Sequence, residues 1–74
     1  MKALVEHIVK ALVDQKDYVR VEEIQEGQTL SIKLTVHPDD MGKVIGKQGR
    51  TAKAIRSVLY AATPEQRVRL DIVD

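Results

Sequence analysis

Residues 44–51 read Val44-Ile45-Gly46-Lys47-Gln48-Gly49-Arg50-Thr51, and the fold turns on this stretch. Two glycines three apart let a backbone turn tightly and approach another molecule with no Cβ in the way. Helical periodicity follows from Arg50 to Ala62 and ends at Thr63-Pro64. Upstream, Pro38-Asp39-Asp40 reads as a helix start, with acids at the positive end of the dipole. Met41 to Ile45 then makes a short helix. The glycine loop therefore joins two helices, and the unpaired N–H groups at the start of the second face the same space as Lys47.

Charge converges on the same place. Residues 43–56 carry Lys43, Lys47, Arg50, Lys53 and Arg56 with no acid, whereas residues 1–42 carry five basic and eight acidic side chains. The net charge of +1 conceals this segregation. Two readings are open from charge alone: a solvated helix face, or a patch that seeks anions. Known phosphate loops do not fit. A Walker A loop needs four residues between its glycines and Ser or Thr after its lysine; Gly42 to Gly46 encloses three, and Gln48 follows Lys47. The dinucleotide fingerprint is absent as well, and the chain is too short for that fold.

Outward from the loop, the clearest strand is Leu30, Ile32, Leu34 and Val36 alternating with Ser31, Lys33, Thr35 and His37. Before it, Tyr18 to Gln25 reads as a partner strand, joined through the turn Glu26-Gly27-Gln28 as a hairpin. Ile24 falls out of step with Val19 and Val21, which leaves a bulge or early fraying open. Residues 2–14 set Leu4, Ile8 and Leu12 beside Val5, Val9 and Val13, an amphipathic helix with a wide apolar face. Arg67 to Val73 alternates again. It lies far enough beyond the second strand to run parallel to it across the two helices. The expected class is α+β, in the order α-β-β-α-α-β, with helices on one face of a three-stranded mixed sheet.

Composition bounds the rest. Seventy-four residues make one small domain, 1–74, which buries only about 60% of the surface of its unfolded chain. There is no cysteine, so neither disulfides nor thiolate metal sites are expected. No apolar run reaches the ~20 residues of a membrane span. Met1-Lys2-Ala3-Leu4 leads straight into an amphipathic pattern rather than a signal segment, so the expectation is a cytoplasmic protein, complete as written. With two tyrosines and neither Phe nor Trp, large aromatic anchors are excluded from any binding surface. No catalytic residue emerges: His7 and His37 lie on different elements, neither falls in a metal motif, and Asp39-Asp40 is better read as a helix start than as an acid–base pair.

The run Val44-Ile45-Gly46-Lys47-Gln48-Gly49-Arg50-Thr51, with Ile55 one turn on, resembles the signature of a KH domain. Together with the element order, it is similar to the type II, prokaryotic, arrangement and to the small stand-alone bacterial KhpA-like proteins. The resemblance implies that the G-x-x-G loop clamps the backbone of about four single-stranded nucleotides. Gly46 and Gly49 would allow close approach, Lys47 and Gln48 would face phosphates, and Arg50 would add charge. Lys43 and Lys53 would flank them. Ile45 would line the base groove, while Val44 would line it or enter the core. The strand Ser31–His37 would form the opposite wall. The implied role is non-catalytic, in post-transcriptional control tied by family to cell shape, elongation or division, and no cofactor is implied. A second reading is a protein-interaction or ribosome-associated module on the same scaffold.

The last helix carries more apolar surface than one sheet uses. Ala52, Ile55, Leu59 and Ala62 make a sufficient core face, and Ala54, Val58 and Ala61 extend it sideways. Either the first helix covers that strip or a second subunit does. The resemblance implies the latter, as a homodimer or as a pair with a second KH protein, KhpB (also called Jag or EloR).

Overall fold

A computed structural model describes residues 1–74. Helix α1 spans Lys2–Lys10, strand β1 Arg20–Glu26 and strand β2 Thr29–Thr35. Helix α2 spans Met41–Ile45, helix α3 Arg50–Ala62 and strand β3 Arg67–Val73. The α-β-β-α-α-β order is the expected one. The strands form one sheet in the order β1-β2-β3, with β1 antiparallel to β2 and β3 parallel to it. The two-helix crossover allows the parallel pairing, and the tight turn at Gly27, with φ of 61°, closes the hairpin.

One apolar cluster holds the layers together. It joins Val5, Val9 and Val13 to alternate residues of the sheet and to Val44, Ile55 and Leu59. Leu30, Ile32 and Leu34 of β2 face inward, and Val36 just beyond the strand is buried with them. Burial of each such side chain contributes about 1.5–3 kcal/mol.

Three expectations are corrected. The first helix stops at Lys10 rather than 14. The Leu12 amide already turns to the Val9 carbonyl three residues back, which the Val13 amide shares, and beyond it the amides of Asp14 and Gln15 bond to the Asp40 carboxylate. A short 3₁₀ turn then covers Lys16–Tyr18, and β1 begins at Arg20. There is no bulge at Ile24: the register from Arg20↔Thr35 to Glu26↔Thr29 is continuous, and Ile24 lies on the open face of the sheet. Ala62 is exposed rather than core, because only Ala52, Ile55 and Leu59 of α3 are buried.

Candidate nucleic-acid interface

The glycine loop is a single 3₁₀ turn, Lys47–Gly49, between α2 and α3. Helix α2 closes with the Gly46 amide donating to the Gly42 carbonyl at 2.9 Å. Gly46 then takes φ 76° and ψ 174°, a conformation confined to glycine. Gln48 follows at φ 57° and ψ 26°, the one non-glycine residue of the chain with positive φ. Such a conformation costs on the order of 1 kcal/mol and is typical of functional turns. Gly49 is left-handed too, at φ 75° and ψ 13°, and starts α3.

The two glycines play different parts. Gly46 lies against Thr51 of the chain's own α3, whereas no atom beyond its immediate neighbours approaches the Cβ direction of Gly49 within 4 Å. The open side of the turn is therefore at Gly49, next to the exposed side chains of Lys47 and Gln48.

The five cations of residues 43–56 divide into three groups. Lys47, Arg50 and Lys53 are exposed and form no ion pair. Arg50 and Lys53 are three apart on α3 and so share a face beyond the turn. Lys43 is committed elsewhere. Its ammonium is bonded to the Asp14 carboxylate and lies 3.7 Å from Asp40 Oδ1. The Asp14 hydrogen bond holds its pKa above the ordinary lysine value. Arg56 is committed too, its Nη2 donating to the Leu70 carbonyl of β3 at 3.3 Å.

The flanking apolar residues separate as well. Val44 is fully buried and belongs to the core, while Ile45 is partly exposed beside the turn. Strand β2 keeps its apolar set in the core, as expected. It is the central strand, paired on both edges. The strand that packs beside α2 and α3 is β3. The α3 strip of Ala54, Val58 and Ala61 stays exposed, joined by Ala62, while α1 packs against β1.

Sequence reasoning missed Asp14, Asp40, Thr51 and the Arg56–Leu70 bond. Asp40 and Lys43 are oppositely charged and three apart, which is a readable signal. Asp14 lies 29 positions from Lys43 and carried none.

The sequence matches known proteins. The family model described as KhpA/KhpB, KH domain, matches residues 2–73. The RNA-binding protein KhpA of Halalkalibacterium halodurans is 70% identical over 76 residues, covering 100% of both chains. That of Oceanobacillus iheyensis is 51% identical, covering 99% of this chain and 100% of the relative. That of Bacillus subtilis is 46% identical, covering 100% of this chain and 94% of the relative. No solved structure matches the chain. No helix is long and apolar enough to cross a membrane.

Proposed function

The chain belongs to the KhpA/KhpB KH-domain family, and from that premise we propose that it is a cytoplasmic, single-domain, non-catalytic protein that binds single-stranded RNA through the turn Gly46–Gly49. The observation that carries this reading is the set of three exposed, unpaired cations, Lys47, Arg50 and Lys53, around a turn with strained backbone. Phosphates approach the open side at Gly49, where Lys47 and Gln48 reach them and Arg50 and Lys53 extend the field along α3. Ile45 offers the apolar contact for a base. Lys43 adds little, since its charge is already neutralised.

Without Phe or Trp, base stacking worth about 1–3 kcal/mol per base is lost. Binding is then weak, salt-sensitive and sparing in sequence preference. Pairing of two sites offsets that weakness through effective concentration. The exposed strip Ala54, Val58 and Ala61 is the face for a second copy or for KhpB, consistent with its lying uncovered. A role in post-transcriptional control of cell elongation or division rests on family resemblance.

The test is fluorescence anisotropy with labelled single-stranded RNA at several salt concentrations. It compares the parent with Lys47→Asp plus Gln48→Asp, after circular dichroism shows both folded. Loss of binding in the variant, with a parental log–log salt slope of about −2 for three phosphates, supports the reading. Equal binding by both, or none by the parent at low salt, overturns it in favour of a protein-interaction module.

A further inference from the structure

We propose that Asp40 is the positioning residue of the phosphate-binding turn: with Lys43 as its brace, it ties α2 to Asp14 and Gln15 and so sets where Gly46 launches the turn. The inference deepens the RNA-binding reading and rests on it.

Helix α2 has five residues, too few to hold its own shape or direction. Its orientation must come from tertiary ties. On the core side the tie is Val44, fully buried. At the N-cap it is Asp40, the one charged side chain among the buried residues, with 1% of its surface exposed. Asp40 stands at the N-cap of α2, yet its side chain makes no capping bond. It reaches across the chain instead. Oδ2 accepts the Gln15 amide at 2.9 Å and Oδ1 the Asp14 amide at 3.3 Å. Lys43, one turn later, bonds the Asp14 carboxylate and closes on Oδ1. Asp40 at the N-cap of α2 and Lys43 within it thus grip two consecutive residues that lie 25 and more positions away. Gly42, between them, accepts the last amide bond before the turn, from Gly46.

A buried carboxylate is costly unless fully paired, so this grip tolerates little movement. Every buried polar side-chain atom of the chain has a partner. A turn held in its binding shape avoids the ordering cost of association. Lys43, counted with the basic patch by sequence, serves as a brace and not as a phosphate contact.

The test uses the full chain as parent, Asp40→Asn, Lys43→Met and Lys47→Met, all well below their melting temperatures. The readouts are RNA anisotropy against salt and the amide resonances of residues 46–49. Asp40→Asn keeps the side-chain shape and one acceptor but loses the charge. Expected are about tenfold weaker binding by Asp40→Asn, with moved loop resonances, and an unchanged salt slope in Lys43→Met. Lys47→Met should flatten the slope by about 0.7. Parental affinity and parental loop resonances in folded Asp40→Asn would overturn the inference. So would a slope in Lys43→Met flattened as in Lys47→Met. Should Asp40→Asn fail to fold, the slope and resonances of Lys43→Met decide alone. If the parent itself does not bind RNA, the RNA reading has failed, and the loop resonances still report whether Asp40 positions the turn.

Discussion

A Cβ built on Gly46 would lie 2.2 Å from the Thr51 hydroxyl oxygen and 2.9 Å from the Thr51 amide nitrogen. The first glycine of the motif is therefore required by the chain itself, and the second, facing open space, by backbone conformation alone. Gly49→Ala should cost about 1–2 kcal/mol, the ordinary penalty of a left-handed alanine. Gly46→Ala combines a glycine-only conformation with a steric overlap and should cost about 3 kcal/mol or more. Urea unfolding of the two variants checks the order; equal losses would contradict it.

The grip on α2 should make stability depend on pH at both ends. The Gln15 amide, above all, holds the Asp40 carboxyl below its ordinary value, against the opposing effect of burial, with help from the Asp14 amide. A depressed carboxyl contributes stability that is complete above its unfolded pKa and is lost as pH falls through the folded one. Lys43 is raised, first by its bond to Asp14, so its contribution is complete below the ordinary lysine value and is lost as pH rises through the folded one. Urea midpoints across pH should fall at both limits. Asp40→Asn should flatten the acid limb and Lys43→Met the alkaline limb.

If the α3 strip seats a second copy, a charge in its middle should separate the pair. Val58 is 46% exposed, so Val58→Asp leaves the core untouched. Sedimentation equilibrium should give a dimeric mass for the parent and a monomeric one for the variant, with unchanged circular dichroism. A monomeric parent at high concentration would refute the assignment of this face.

Arg56 is expected to matter for the sheet rather than for RNA. Its bond to the Leu70 carbonyl occupies an acceptor of β3, an edge strand. Arg56→Ala should cost about 1 kcal/mol and increase self-association through the bared edge. Light scattering and thermal unfolding check this. The RNA salt slope should stay at the parental value.

What was legible in the sequence was local. The alternation of Leu30 to Val36 predicts the central strand, and Gly46 with Gly49 predicts the turn, because neighbouring residues carry both signals. The parallel pairing of β3 followed from the length of the crossover. What escaped depends on residues remote in sequence. Asp39-Asp40 looks like a pair of helix-start acids, yet only Asp39 stays in solvent while Asp40 turns to residues 14 and 15. The early end of α1 is another feature that no periodicity within residues 2–14 could reveal. Lys43 looks like one of five equal cations until Asp14 is brought beside it.

Residue 29 pairs with residue 67 across the crossover, and the Gly46–Gly49 turn sits near its middle. The β1–β2 hairpin closes a short loop, whereas the parallel pairing must close a long one, so it belongs to the slow part of folding. The turn lies inside that long loop, and its surroundings are complete only when the two halves of the chain have docked. If the turn binds phosphates as proposed, a half-folded chain would offer polyanions charge without shape, and only the closed domain would offer both.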